Sequence, residues 1–390
     1  MTVPLDTQVA VIGGGVVGCA VAHALARRGV RSVVLEAEAG LALGASGTNS
    51  GILHTGFDSS AGALETKLIL RAAQLRGELL DELGVEVWRC GARLRPRDGE
   101  QRAAVDRLEA NARANGVECD RETNGTLRIP GESVTDPVAF VHALAAAAES
   151  GGATIELGTA VRGVRREGRR TIALEREGGS RLHARCVVNA AGLFADEVAR
   201  MAGDEIAAVY PRKGEFLVFA PASSEPLEQI LLPVPSALGK GVLVFPTLDG
   251  RIVAGPTARE REDKRDWSVE QGAAELILPR ALAMHPALKR AELVGAYAGL
   301  RPAGRGANYV IEHSRALQGL IHVAAIRSTG LSASLAIGEH VAAMLDGAPG
   351  VALGAARALP VTPLPQPCGQ PWWQRAALHR GLSASAAGRT

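Results

Sequence analysis

The opening residues predict a strand, a helix and a second strand. Residues 8–12 (QVAVI) form a short apolar run, which is typical of a buried parallel strand. GGGVVG and an alanine-rich stretch follow, and they predict a helix to Arg28 that Gly29 ends. The apolar run at 31–35 (RSVVL) predicts a second strand, which ends at Glu36. The chain therefore begins with a predicted βαβ unit.

The rest of the pattern separates an α/β scaffold from strand-rich insertions. Helical periodicity runs over 63–84, and Asp136 followed by Pro137 has the N-cap and first-turn residues of another helix. Strand patterns dominate 205–300, before a late apolar strand (LIHVAAI) and a final scaffold helix. We therefore expect a discontinuous domain. The expected division is a scaffold at 1–85, 145–205 and 305–350, an inserted domain at 86–144 and 206–304, and a tail at 351–390.

The tail differs in composition from the rest of the chain. VTPLPQPCGQP is proline-rich, which is typical of a semi-rigid linker. PWWQRAALHRGL predicts a short amphipathic helix that carries Trp372 and Trp373. We expect this helix to dock on the protein's own surface, and a weak peripheral membrane contact is the open alternative.

Composition excludes several classes of protein. The 43 basic and 41 acidic residues give a formal net charge of +2, so no overall field would attract nucleic acid. The five cysteines include no C-x-x-C pair, so we expect no metal site and a reducing, cytoplasmic compartment. Peripheral attachment at the inner face of the membrane stays open.

Three glycines after the first strand predict a dinucleotide site. Gly13 permits a tight turn, Gly15 lets the backbone approach a pyrophosphate, and Gly18 lets the helix pack closely on the strand. The phosphates would lie at the helix N-terminus. The carboxylate of Glu36, at the end of the second strand, would accept hydrogen bonds from the adenosine ribose hydroxyls.

Two further glycine-containing segments favour FAD over a nicotinamide cofactor. GASGTNSG (44–51) follows the second strand, and STGLSASLAIG (328–338) opens a late helix whose N-terminus could face the flavin. No second GxGxxG is present, so the electrons would come directly from the substrate.

Several segments resemble the FAD-dependent glycerol-3-phosphate dehydrogenases and oxidases of the D-amino-acid-oxidase-like superfamily. They are GASGTNSGILHTGFDSSAGALETKL, PRKGEFLVF, GKGVLVFPTLDGRIVAGPTAREREDK, YAGLRPAG and IRSTGLSASLAIGEHV. The resemblance implies an α/β (overall α+β) fold: a Rossmann-type FAD-binding domain with an interleaved, mostly antiparallel β substrate domain. Thr329 and Leu335 stand where many members have proline.

The motifs and the resemblance together imply a set of cofactor contacts. We expect non-covalent FAD, because no cysteine or histidine linkage signal is evident. The predicted contacts are Gly13, Gly15, Val16, Gly18, Glu36, Ala37, Ser46, Asn49, Ser50, Gly51, Val161, Ala191, Gly192, Gly330, Leu331 and Ser332.

The resemblance also implies the substrate-binding and catalytic residues. His54 matches the family's active-site histidine, and an imidazole titrates near neutral pH; a structural histidine is the alternative. Arg301 matches the arginine that binds the substrate anion, with a surface salt bridge as the alternative. Lys240 matches an active-site lysine, although a lysine between two glycines is also typical of a surface loop. Ser50 and Ser328 are predicted substrate contacts.

The implied reaction is oxidation of a small anionic secondary alcohol, with sn-glycerol 3-phosphate converted to dihydroxyacetone phosphate. A 2-hydroxy acid such as L-2-hydroxyglutarate is the alternative substrate, because a guanidinium binds phosphate and carboxylate equally well. A flavin-binding module without turnover is the alternative of another class. Oxygen, a quinone or a soluble carrier all stay open as electron acceptor.

Overall fold

A computed structural model describes residues 5–221, 225–235, 241–360 and 371–381. The helices are α1 (Val16–Arg27), α2 (Leu64–Glu82), α3 (Gly99–Ala114), α4 (Pro137–Ser150), α5 (Ala195–Met201), α6 (Ala273–Met284), α7 (Gly330–Leu345) and α8 (Trp372–His379). The strands are β1 (Thr7–Ile12), β2 (Ser32–Leu35), β3 (Ile52–Leu53), β4 (Val87–Trp88), β5 (Ala92–Leu94), β6 (Asp120–Arg121), β7 (Leu127–Ile129), β8 (Ser133–Thr135), β9 (Thr154–Glu156), β10 (Val161–Arg166), β11 (Ile172–Arg176), β12 (Arg181–Asn189), β13 (Val209–Phe219), β14 (Ile230–Leu232), β15 (Leu243–Pro246), β16 (Ile252–Gly255), β17 (Arg259–Glu260), β18 (Leu293–Gly304), β19 (Val310–His313) and β20 (Leu320–Ala324).

The first sheet has a parallel centre in the order β20-β12-β1-β2-β9. An antiparallel meander, β10-β11-β12, extends it on one side. Strand β1 is buried along most of its length, as its apolar run predicts, and α1 packs between α4 and α7 on one face of the sheet. The predicted βαβ unit is therefore the centre of this domain.

The start of α4 shows how local sequence sets an element boundary. Oδ1 of Asp136 accepts hydrogen bonds from the backbone N–H groups of Val138 (2.8 Å) and Ala139 (3.0 Å). Pro137 occupies the first turn, where its missing N–H costs nothing. The helix that this pair predicts is confirmed.

The second sheet is mostly antiparallel, in the order β17-β13-β16-β15-β14-β5-β7-β6, with β18 beside β13. Helix α6 packs on one face of it. Because side chains alternate along a strand, Tyr297, Gly299 and Arg301 share the opposite face of β18. A Cβ on Gly299 would lie 2.8 Å from the carbonyl oxygen of Thr48, so this face lies directly against the first domain.

The domain boundaries stay a proposal, with one refinement. The division at 144/145 cuts α4, yet α4 packs along α1 of the first sheet. We therefore propose that the first domain resumes at Asp136, the cap of α4, and that the inserted domain comprises 86–135 and 206–304.

Helix α8 docks on the protein's own surface. Trp373 is 2% exposed and Trp372 is 8% exposed. Their ring centroids lie 6.4 Å and 5.4 Å from that of Tyr297, which stacks on Phe216 at 4.7 Å. The tryptophans thus complete an aromatic cluster on the second sheet. Across the described ranges, no helix combines the length and apolarity that a membrane crossing requires.

A matched pair of glycine substitutions tests this packing. Gly77 lies exposed inside α2 with open space around it, so Gly77→Ala is expected to raise the free energy of unfolding by about 1 kcal/mol through helix propensity. Gly18→Ala is expected to lower it, because the added Cβ would lie 1.9 Å from the carbonyl oxygen of Gly13. Thermal unfolding followed by circular dichroism measures both, and equal effects would contradict the packing of α1.

Candidate functional site

The turn between β1 and α1 brings three backbone segments together. Gly13 has a φ of +108°, and a Cβ there would lie 2.4 Å from the carbonyl oxygen of Ala190, beyond the end of β12. The N–H of Gly13 donates to Leu35 O (2.8 Å) at the end of β2. The turn is therefore held at the carboxyl ends of β1, β2 and β12, the edge where open α/β sheets bind ligands.

Glu36 is fixed beside this turn. Its Oε2 accepts a hydrogen bond from Gly14 N (2.6 Å), and its Oε1 accepts one from Glu38 N (2.8 Å). Burial raises the pKa of the Glu36 carboxyl, and these two backbone donors oppose that shift. The N-cap residue Gly15 has no side chain, and in the first turn of α1 the N–H of Val16 donates to Ser46 Oγ (3.0 Å). The positive end of the helix at this turn is a suitable anion site.

A cavity of about 730 Å³ runs from this turn to the second sheet. Its size is in the range of cofactor pockets. Many residues predicted to bind cofactor or substrate line it. They are Gly13, Gly15, Val16, Glu36, Ala37, Ser46, Asn49, Val161, Ala191, Gly192, Arg301, Ser328, Gly330 and Leu331.

The remaining predicted residues lie outside this lining. Gly18 packs α1 against the turn, as its predicted role requires. Gly51 has a φ of +77°, and a Cβ there would lie 2.3 Å from Thr135 O. The glycine is therefore needed for the close packing of this segment on β8. Ser50, Ser332 and His54 lie in the chain segments next to the lining. Lys240 lies outside the described residues.

Arg301 presents a partly buried positive charge to the cavity. Its Nε donates to Arg212 O (2.9 Å), and its Nη2 donates to Lys213 O (3.2 Å) and Thr257 O (2.9 Å). Within the described residues Arg301 has no carboxylate partner. Burial, together with the charges of Arg212 and Arg327, lowers its pKa to about 10, so the guanidinium remains protonated at neutral pH. Among the described residues Arg301 thus makes no surface salt bridge, the alternative considered for it.

His54 is held from three sides just beyond the cavity. Its backbone N–H donates to Ser332 Oγ (2.8 Å), and its carbonyl oxygen accepts from Arg76 Nη2 (2.5 Å). Its ring Nδ1 lies 2.9 Å from Oε2 of Glu132. Ser332 is in the first turn of α7, where Gly330 and Leu331 line the cavity, so the imidazole adjoins the predicted flavin end.

The start of α7 is fixed by a polar cluster. Thr329, one of the departures from the family pattern, donates through Oγ1 to Glu65 Oε1 (2.5 Å) and lies 2.9 Å from the hydroxyl of Tyr309. Tyr309 and Ala325 both have positive φ values, 53° and 55°, which non-glycine residues rarely adopt. Such strain persists only where surrounding contacts enforce it, and it is common at ligand sites.

Sequence reasoning missed several residues of the site. Trp267 and Arg380 both line the cavity, with the Arg380 guanidinium 4.2 Å from the Trp267 ring centroid. Arg380 and His379 also contact the carboxylate of Glu38, at 3.5 and 3.0 Å. The end of α8 therefore reaches the mouth of the cavity, and no local motif around residue 380 signals this.

Comparison with known proteins identifies the family and several relatives. A family model described as FAD dependent oxidoreductase matches residues 8–344. Glycerol 3-phosphate dehydrogenase of Caloramator mitchellensis is 29% identical over 352 residues, 86% of this chain and 72% of that protein. Mitochondrial L-2-hydroxyglutarate dehydrogenase of Arabidopsis thaliana is 26% identical over 395 residues, 85% of this chain and 82% of that protein.

A solved structure shares the fold. The dithionite-reduced L-α-glycerophosphate oxidase of Mycoplasma pneumoniae with FAD bound superposes with a TM-score of 0.84 at 24% identity, over 92% of this chain and 99% of that chain. The predicted fold class is confirmed. The glycine turn after β1, the fixed carboxylate of Glu36 and the N-terminus of α1 fit FAD.

Glu36→Gln tests the adenosine end of the site. The substitution removes a charged acceptor, and hydrogen bonds to charged groups contribute about 1.5–3 kcal/mol, so the Kd for FAD is expected to rise at least about tenfold. Titration of the apoprotein with FAD, followed by quenching of flavin fluorescence, measures it. Glu175→Gln, in an exposed pair with Arg165, is the control. An unchanged Kd for Glu36→Gln would show that the Glu36 carboxylate does not bind FAD.

Proposed function

The chain belongs to the FAD-dependent oxidoreductase family, and from this premise we propose that it oxidises sn-glycerol 3-phosphate to dihydroxyacetone phosphate. The predicted cofactor, FAD, and the predicted enzyme class are those of the family. The choice of substrate is supported by the glycerol 3-phosphate dehydrogenase and oxidase relatives, at 29% and 25% identity.

The observation that supports an anionic substrate best is the state of Arg301. Its guanidinium is desolvated, lines the cavity and donates only to carbonyl oxygens within the described residues. A buried charge without a counter-ion is costly, so a bound anion would lower the free energy of the site. Nη1 makes no hydrogen bond within the described residues and can donate to a phosphate oxygen.

The neighbouring charges strengthen this attraction. Arg212 and Arg327 act on Arg301 with the same sign, so the cavity near β18 is positive. Arg327 is 3.5 Å from Glu65, a long contact that neutralises it only in part. A phosphate dianion would gain more from this field than a 2-hydroxy acid with a single carboxylate. L-2-hydroxyglutarate also carries two negative charges, so the choice between it and glycerol 3-phosphate rests on the relatives.

His54 is the proposed base for the substrate hydroxyl. With Nδ1 directed at Glu132, Nε2 remains to accept the hydroxyl proton. Bound FAD supplies the two-electron acceptor at its ring N5. Arg301 orients the substrate by its phosphate. Ser50, Ser328 and Lys240 are proposed additional contacts, the last from the family resemblance alone.

An anaerobic substrate panel tests the proposal. The FAD-loaded protein is mixed with sn-glycerol 3-phosphate, L-2-hydroxyglutarate or glycerol, and bleaching of the oxidised flavin is followed. We expect fast bleaching with glycerol 3-phosphate alone, and dihydroxyacetone phosphate as product. Preferential bleaching with L-2-hydroxyglutarate would show that this hydroxy acid, and not glycerol 3-phosphate, is the substrate. If none of the three compounds bleaches the flavin, the result would favour a binding module without turnover. Adding oxygen or a quinone to the reduced protein then identifies the acceptor.

Arg301→Lys tests the anion site. A lysine keeps a positive charge but cannot make the same three carbonyl contacts and still present a free donor. We expect kcat/KM for glycerol 3-phosphate to fall about 10–150-fold, corresponding to about 1.5–3 kcal/mol, mainly through KM. Arg305→Gln is the matched control, because that arginine is exposed and pairs with Glu262. Wild-type KM in Arg301→Lys would contradict the assignment.

A further inference from the structure

We propose that Glu132 is a positioning residue that holds the His54 ring in the tautomer whose Nε2 accepts the substrate proton. The inference rests on the proposed role of His54 and extends it. Glu132 is absent from the residues that motifs or family resemblance single out. Its test includes a measurement that needs no substrate, so failure of the two proposals can be distinguished.

The Glu132 carboxylate is fully buried and has a fixed orientation. Its side chain is 0% exposed. Oε1 accepts hydrogen bonds from Thr55 N (2.7 Å) and Thr55 Oγ1 (2.8 Å), and Oε2 lies 2.9 Å from His54 Nδ1. Both oxygens are therefore committed, and rotation of the carboxylate would break at least one bond. The His54 ring thus faces an immobile partner.

The backbone around Glu132 is equally restricted. Gly131 packs so closely on Thr55 that a Cβ would lie 2.9 Å from the threonine methyl carbon. The carbonyl oxygen of Glu132 accepts from Gly91 N (2.9 Å). This loop joins β7 to β8, and β8 pairs with β3 directly before His54. The carboxylate and the imidazole are thus carried by adjoining, mutually packed segments.

A buried cation lies close to the Glu132 carboxylate. Arg76 is the buried cation of this region: it donates to the carbonyl oxygens of His54 and Ser332, and the charge of Glu132 supports its protonation. Burial raises the pKa of the Cys90 thiol to about 11, so that neighbour is neutral. With Glu132 as acceptor, Nδ1 must carry the hydrogen, which leaves the lone pair on Nε2.

Glu132→Gln should reverse this arrangement without changing the shape of the side chain. The amide oxygen is expected to stay on the two Thr55 donors, which places the NH2 group against His54 Nδ1. Nδ1 then becomes an acceptor and the hydrogen moves to Nε2, where it blocks proton transfer. The same effect is known from serine protease triads, where replacing the aspartate carboxylate by an amide leaves the histidine in the wrong tautomer.

Two readouts test this inference on the FAD-loaded protein. In 15N-histidine-labelled protein, NMR is expected to show Nδ1–H for His54 in the wild type and Nε2–H in Glu132→Gln, with the signal assigned by its loss in His54→Gln. The rate of anaerobic flavin reduction by glycerol 3-phosphate is expected to fall about 100-fold, a typical loss for a general base. Glu132→Asp is expected to restore the Nδ1–H tautomer and part of the rate.

Controls separate positioning from stability. Thr55→Val removes one partner of Glu132 without touching His54 and is expected to keep the Nδ1–H tautomer even if it lowers the unfolding temperature. Glu339→Gln, in an exposed pair with Arg71, is expected to change neither readout. An unchanged tautomer in folded Glu132→Gln, or a reduction rate within about twofold of wild type, would overturn the inference. If no substrate reduces the wild-type flavin, the proposed function is wrong. The NMR comparison of wild type and Glu132→Gln then still decides whether Glu132 sets the His54 tautomer.

Discussion

The whole arrangement depends on the close approach of α1 to the turn that precedes it. The carbonyl oxygen of Gly13 occupies the space that a Cβ of residue 18 would need, and Gly13 itself lies against Ala190 O. This contact places the N-terminus of α1, the carboxylate of Glu36 and the end of β12 around one opening. Any side chain there would push the helix away and remove the seat for a pyrophosphate.

The proposed binding of an anionic substrate depends on a desolvated charge at the far end of the same cavity. Arg301 is held by three carbonyl oxygens, which fix its plane without neutralising it. His54 is fixed through α7 and Glu132 in a comparable way, by contacts that leave one functional atom free. Both residues are thus oriented before a substrate arrives, which reduces the entropy cost of the reactive geometry.

Local sequence was sufficient for the elements whose signals are local. The glycine turn, the acid at the end of β2, the Asp136-Pro137 helix start and the amphipathic tail helix each depend on neighbouring residues, and the structure contains all four. The mixed fold followed from the alternation of helical and strand patterns together with the family resemblance. For the boundary expected within α4 we propose position 136 instead, because periodicity cannot reveal which sheet a helix covers.

The contacts that complete the site could not be predicted in this way. Glu132 lies 78 residues from His54 in the chain, and nothing in a glycine-preceded glutamate distinguishes a buried partner from a surface charge. Arg380 meets Trp267 only because α8 folds back onto the cavity mouth. Such pairings depend on tertiary packing, so the periodicity of the sequence does not predict them.

The most direct test of the account is a crystal structure of the FAD-loaded protein with dihydroxyacetone phosphate bound. We predict that the adenosine ribose contacts Glu36, that the phosphate lies on Nη1 of Arg301, and that His54 Nε2 is within hydrogen-bonding distance of the product's carbonyl oxygen. A phosphate bound away from Arg301, or an imidazole too distant to reach that oxygen, would contradict the central claim.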